Sequence, residues 1–161
     1  HNFKNIFIIW SSWIIDNRGE NFFLKILKLL SKNENLKVVN DQIGCLTNVN
    51  NLSKLCWKLI SIQHKISNIP SIIHFCDSGI CTWYDVACAI GDLAFEKKII
   101  SKKPKIIPVE SNYFNLPAKR PNFSLLNCEQ TYDFFKYHPP HWRETISTLL
   151  DSSSKDFMKN L

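Results

Sequence analysis

Short β-branched runs alternate with amphipathic helical stretches along this chain, and that alternation restricts it to an α/β fold with parallel strands. Asn5–Ile15 (NIFIIWSSWII), Leu36–Asn40 (LKVVN), Ser71–Cys76 (SIIHFC) and Lys105–Val109 (KIIPV) read as strands. The first is dense enough in branched and aromatic residues to be a strand buried on both faces. Pro108 puts the last at a sheet edge, because proline cannot donate to a ladder. Between the strands, Phe23, Ile26, Leu27 and Leu30 recur at helical spacing, as do Leu52, Leu55, Cys56, Leu59 and Ile60, and then Val86, Ala89, Ile90 and Leu93.

The punctuation agrees with this reading. Asp16–Asn21, with Gly19, breaks the first strand, and Asn48, Asn50 or Asn51 is available to cap the second helix. Thr82 stands three residues before Asp85, the spacing of a capping box at the third. Asp41–Thr47 reads as a polar connection and Asn112–Ser124 as an irregular loop. Pro139-Pro140 interrupts the helical segments that follow, Trp142–Leu150 is the last helix, and Ser152–Leu161 is expected to fray.

With 161 residues, 45% of them hydrophobic, the chain has material for one domain or part of one and is too apolar for a disordered segment. It has no uninterrupted apolar run of about 18 residues to span a membrane. The net charge of +6 comes from scattered lysines with only three arginines, which gives few planar forks for phosphate or guanine and argues against a nucleic-acid partner. None of the six cysteines forms a CxxC pair, and no His or Cys spacing matches a metal site, so reduced thiols in a cytoplasmic protein are expected. A chain that opens at His1, just ahead of an apolar strand, is expected to lack its upstream part. Four isolated glycines supply no Gly-rich strand-turn-helix to seat a pyrophosphate, so these residues do not make a complete dinucleotide-binding domain.

Several side chains are candidates for chemistry. Tyr132 and Lys136 have the Tyr-x-x-x-Lys spacing that places a phenol and an ammonium on one helix face, a pattern that also arises often by chance. Trp13 closes the first strand, where strand carboxyl ends face a ligand crevice, although from the strand alone core packing is the plainer reading. In Asn40-Asp-Gln-Ile-Gly44, Gln42 either bonds a ligand or serves a turn, and the spacing favours the turn. Arg120, in the sequence Arg-Pro-Asn-Phe-Ser124, either receives a diphosphate or carboxylate or binds backbone carbonyls, with nothing in the sequence to separate the two.

Taken in order, Ser11–Trp13 (SSW), Gly19–Phe22 (GENF), Val38–Gly44 (VVNDQIG) with Thr47, Thr82–Ala87 (TWYDVA), Ala118–Leu126 (AKRPNFSLL) and His141–Ile146 (HWRETI) resemble the C-terminal half of the dTDP-4-dehydrorhamnose reductase family, the RmlD-like branch of the extended short-chain dehydrogenases. The resemblance implies the C-terminal part of a Rossmann-like NAD(P)-binding fold, with a substrate-binding region over residues 1–151 and the tail at 152–161. It further implies NADPH- or NADH-dependent reduction of dTDP-4-dehydro-L-rhamnose to dTDP-L-rhamnose, in a cytoplasmic protein that binds a dTDP-sugar nucleotide and leaves room for a homodimer. The family's catalytic Tyr-Lys pair would stand upstream of the SSW strand, so Tyr132 and Lys136 do not take its place. Carried over by motif, Trp13 becomes a substrate wall and Arg120 a further substrate contact, with Gln42 and Asn21 on the substrate side as shell or loop-structuring residues and Ser12 on the cofactor side.

The sequence also departs from the family. Trp10 stands where the family usually has Arg, Ile15-Asp16 where it has Tyr-Gly, and Leu46 where it has Pro. An indole supplies neither the cation nor the five donors of a guanidinium. These changes leave a second reading open, a non-catalytic binding protein such as the regulatory β subunit of methionine adenosyltransferase, and a third, an inactive gene remnant.

Overall fold

The computed structural model describes residues 6–32, 35–66, 68–115 and 117–157, with side chains as far as residue 152. In chain order the elements are β1 (Ile8–Trp10), β2 (Ile14–Ile15), α1 (Phe22–Ser31), β3 (Leu36–Val39), β4 (Ile43–Gly44), β5 (Thr47–Asn48), α2 (Val49–Ile62), β6 (Ile72–His74), β7 (Cys81–Thr82), α3 (Trp83–Glu96), β8 (Ile106–Val109), α4 (Glu129–Phe135) and α5 (Trp142–Phe157). A 3-10 turn covers Ser111–Phe114. β1 pairs with β6, β2 with β5 and β3 with β8, all parallel, while β4 and β7 pair antiparallel. This is the expected α/β class, with one antiparallel pair that the alternation of elements did not announce.

The helices follow their sequence patterns, except that Ile60 of α2, expected on the apolar stripe, is about half exposed. Phe23, Ile26, Leu27 and Leu30 form the buried face of α1, each worth about 1.5–3 kcal/mol when fully removed from water. Asn21 caps α1 by accepting from the Leu24 N–H, and Asn48 caps α2 by accepting from the N–H groups of Asn50 and Asn51. Thr82 and Asp85 close both halves of the capping box of α3. Three buried clusters result among the described residues, two of them built on helices and a third on cysteines. Of the first two, the larger joins α1, α3 and α5 to Ile15, Leu36, Val38 and Leu46; the smaller sets Leu55 and Leu59 of α2 against Ile73, Phe75 and Phe135.

Four expectations need correction. The run Asn5–Ile15, of which Asn5 lies outside the described residues, is two strands with different partners, because Trp13 takes a left-handed φ of 46° and turns the chain between them. Nor is it buried on both faces: Ile8, Trp10 and Ile14 are about half exposed, and only the face carrying Ile9 packs on the smaller cluster. The supposed polar connection Asp41–Thr47 holds β4 and the start of β5, and Gly44 through Asn48 are all buried. The final helix runs past Leu150 to Phe157. Asp151 is held there by Lys97 Nζ at 2.6 Å, and the Ser152 hydroxyl takes up the carbonyls of Thr148 and Leu149. Residues 158–161 of the tail lie outside the described residues. Pro108 sits opposite Val38 in β8, which pairs with β3 alone among the described residues, as an edge strand should.

A buried carboxylate ties the two helix-built clusters together. Asp77, 1% exposed, accepts from Asn51 Nδ2 of α2 at 3.0 Å and from Thr145 Oγ1 of α5 at 2.7 Å, while its N–H donates to the Leu46 carbonyl at 2.7 Å. Burial pushes its pKa up, and the Thr145 and Asn51 bonds work against that shift. Replacing Thr145 with valine keeps the volume and removes a donor from a buried acceptor. Thr145→Val should therefore cost about 1–3 kcal/mol, read from the midpoint of urea unfolding at constant m-value.

Candidate functional site

Trp13 lies where β1 ends and β2 begins. Its ring stacks on that of Trp83, with centroids 3.8 Å apart and planes 12° from parallel, and Phe22 tilts against the far partner at 4.4 Å. Trp83 opens α3 immediately after the Thr82 cap, and Phe22 opens α1 immediately after the Asn21 cap, so two helix starts deliver the aromatic partners. The floor is Gly44. A Cβ there would stand 2.7 Å from Trp13 Cε2 and 3.0 Å from Ser124 Oγ, which leaves room for no side chain.

The loop that carries Arg120 reaches this floor. Ile43 N–H donates to the Asn122 carbonyl at 2.8 Å and Ser124 N–H donates to the Ile43 carbonyl at 2.9 Å, so the loop lies along β4 like a short extra strand. Phe123 is 66% exposed above it. Arg120 is exposed and makes no hydrogen bond or ion pair with the described residues. Of the two readings of this arginine, the one that binds backbone carbonyls is absent among the described residues.

The other candidates are engaged within the protein. Asn21 donates to the carbonyls of Asp16 and Arg18 while capping α1, which uses both amide hydrogens and its oxygen. Gln42 Nε2 donates to Ser111 Oγ at 2.8 Å, and Ser111 in turn donates through its N–H and hydroxyl to Asp41. Those bonds hold the Asp41 carboxyl below the usual carboxylate range. Ser12 Oγ donates to the Cys45 carbonyl at 2.8 Å and keeps its lone pairs free to accept. The structure thus brings Trp13 onto the stretch that follows Gln42, and the Arg120 loop onto that same stretch, while Asn21 acts through the helix cap that places Phe22.

Tyr132 and Lys136 do not form a proton-transfer pair. The Tyr132 hydroxyl donates to the Cys76 carbonyl at 2.7 Å, and burial drives its pKa far up. Lys136 has left the helix with a φ of 46° and is exposed. Sequence reasoning missed Trp83, Gly44 and Ser124 as parts of the site. The two Trp residues inside family-like motifs were the available signal for the first, but no spacing rule pairs residues 70 positions apart. Among the described residues no group of three or more His, Cys, Asp or Glu is placed to hold a metal ion, and no helix is long and apolar enough to cross a membrane.

The described residues form an α/β scaffold with parallel strand pairs and an aromatic stack where β1 gives way to β2. The chain belongs to the RmlD substrate binding domain family, whose sequence profile matches residues 1–155. It is 32% identical over 151 residues to the spore coat polysaccharide biosynthesis protein SpsK of Bacillus subtilis strain 168, covering 94% of this chain and 49% of that protein. It is 29% identical over 144 residues to the dTDP-4-dehydrorhamnose reductase of Escherichia coli K12, covering 89% and 48%. The solved dTDP-4-dehydrorhamnose reductase of Bacillus anthracis strain Ames, in complex with NADP, superposes with a TM-score of 0.73 at 26% identity over 91% of this chain and 48% of that one. The UDP-glucuronic acid 4-epimerase of Bacillus cereus, at 14% identity and a TM-score of 0.70, shares the fold. The chain spans about half the length of the curated relatives it matches.

Gly44→Ala should drive the indole of Trp13 off its seat. Expected are a loss of about 1–3 kcal/mol in stability and a changed tryptophan emission spectrum of the folded protein. For Asp41, the folded-state pKa lies below the unfolded one, so its stabilisation is complete above about pH 4 and fades as the pH falls through the folded value. The Tm difference between the parent protein and Asp41→Asn should accordingly be constant near neutrality and narrow in acid.

Proposed function

We propose that this chain is the substrate-binding half of a dTDP-4-dehydrorhamnose reductase, one that reduces the 4-keto group of dTDP-4-dehydro-L-rhamnose to give dTDP-L-rhamnose. The observation that carries the reading is the Trp13–Trp83 stack seated on Gly44, with Arg120 unengaged on the adjoining loop. A flat apolar wall and a free guanidinium fork are what a sugar joined to a diphosphate requires, one for a ring face and the other for bidentate oxygens. The names of the relatives support the same substrate class. Asn21 and Gln42 serve this wall indirectly, through the α1 cap and the Ser111 tie.

The hydride would come from NADPH or NADH, and the residues present do not form the seat for such a dinucleotide. A cradle for a pyrophosphate needs glycines that the ligand can approach. Gly44, Gly79 and Gly91 are closed off by Trp13, His141 and Pro104, and Gly19 stands alone in open space. Ser12, with its free lone pairs, is the one residue here assigned to the cofactor side. The proton donor and its lysine are assigned to sequence outside this chain. The same reading takes the whole protein as cytoplasmic, with a dTDP-sugar as its partner, a homodimer as its assembly, and neither nucleic acid nor membrane as a ligand.

The test uses the whole protein. It should consume NADPH, followed at 340 nm, only when the keto-sugar nucleotide is present, and Trp13→Ala should raise KM by about tenfold, with Trp13→Phe in between. Residues 1–161 alone should consume none. No turnover by the whole protein, together with stable co-purification of a partner enzyme, would overturn the reductase reading in favour of a non-catalytic binding protein.

A further inference from the structure

Three cysteines far apart in sequence meet in one buried cluster. Cys45, Cys76 and Cys128 are 4%, 2% and 5% exposed and are packed around by Leu125, Leu126 and Tyr132. The sulfurs of Cys76 and Cys128 are 3.3 Å apart, closer than ordinary packing of two thiols and consistent with a hydrogen bond between them. Both stand at element junctions. Cys76 follows β6 and precedes the buried Asp77, and Cys128 lies directly before α4. The stretch just upstream of Cys128 is the loop that carries Arg120 and pairs along β4, and its residues from Pro117 to Phe123 are exposed.

We propose that Cys76 and Cys128 form a reversible disulfide that fastens the Arg120 loop and the start of α4 to the end of β6. The proposal does not depend on which substrate the whole protein takes. The oxidant is a peroxide. The Cys128 thiolate attacks one peroxide oxygen, the O–O bond breaks, and the sulfur becomes a sulfenic acid with release of water after proton uptake. The Cys76 thiol then attacks that sulfur, the S–O bond breaks, and a second water leaves. Two thiols and one hydrogen peroxide give one disulfide and two waters.

The geometry suits this step. Bringing the sulfurs from 3.3 Å to a bond of about 2.05 Å needs a shift of roughly an ångström, which the Cys128 side can supply because Cys128 follows the exposed Asn127 and precedes α4 without being inside a helix or strand. Hydrogen bonding from the Cys76 thiol lowers the pKa of Cys128, as it does that of Cys45, and it is Cys128 whose sulfur lies 3.3 Å from that of Cys76. Access for a peroxide comes from local opening of the loop, whose Leu125 and Leu126 cover the cluster just after its exposed stretch. Reduction by a dithiol restores both thiols and frees the loop.

The experiment treats the intact protein with hydrogen peroxide, blocks remaining thiols with an alkylating reagent, and maps peptides without reduction. The expected result is a Cys76–Cys128 linked peptide that disappears with dithiothreitol. Trypsin cleavage after Lys119, the scissile site in this loop, should slow by about fivefold or more in the oxidised form and recover on reduction. Cys128→Ser should lose both effects, whereas Cys56→Ser, outside the cluster, should keep them. If Cys128→Ser does not fold, the linked peptide and cleavage rates of the parent protein decide the matter alone. Retention of free thiols at both positions, oxidation of Cys128 to the sulfinic acid without a link, pairing of Cys76 with Cys45 instead, or a link that leaves cleavage unchanged would each overturn the proposal.

Discussion

The buried carboxylate of Asp77 is the constraint on which the remaining architecture depends. A charge-capable group at 1% exposure is tolerated only when its oxygens are occupied, and the two that occupy them come from α2 and α5. The strands by themselves are too short to hold the molecule: each pair has only two to four residues in register. The network around Asp77 ties the segments that leave β5 and β6 to α5, and it is extended by the Tyr137 hydroxyl that donates to Asn51 at 3.2 Å. The larger cluster under α1, α3 and α5 and the smaller one under α2 are thereby fixed relative to one another, and the ends of β5 and β6 with them.

The same fixation bears on Trp13. A tryptophan with a left-handed φ pays a steric penalty that glycine would not, and such strain persists only where the surroundings over-determine it. Here the ring is held between Trp83 on one side and Gly44 below, and the Trp13 carbonyl accepts from the Thr47 N–H at 3.2 Å. The strain, the missing side chain at position 44 and the stacked partner form a single arrangement. The loop that carries Arg120 is laid along β4 through Asn122 and Ser124, next to the same floor.

Much of the local structure was legible in the residues. The buried face of α1 matches its 3.6-residue period position by position, the Thr82–Asp85 box closes as its spacing requires, and Pro108 lies in an edge strand. The candidate site was legible only in part. Trp13 and Arg120 could be singled out by motif, but Asn21 and Gln42 have their polar groups committed inside the fold, to a helix cap and to Ser111. Hydrogen-bond capacity is visible in a sequence; whether a neighbour already uses it is not.

The sequence by itself determined the class of fold, the helix faces and their caps, because these rest on periodicity and on contacts within four residues. Tertiary structure alone decided that Asn5–Ile15 breaks into two strands, that the stretch after Asp41 is buried, and that Trp13 meets Trp83. Each of those depends on a backbone angle or a pairing across 30 or more residues, and no local preference encodes them. They are fixed only when Gly44 receives the indole and Asp77 gathers its distant donors, which requires the whole core to have formed.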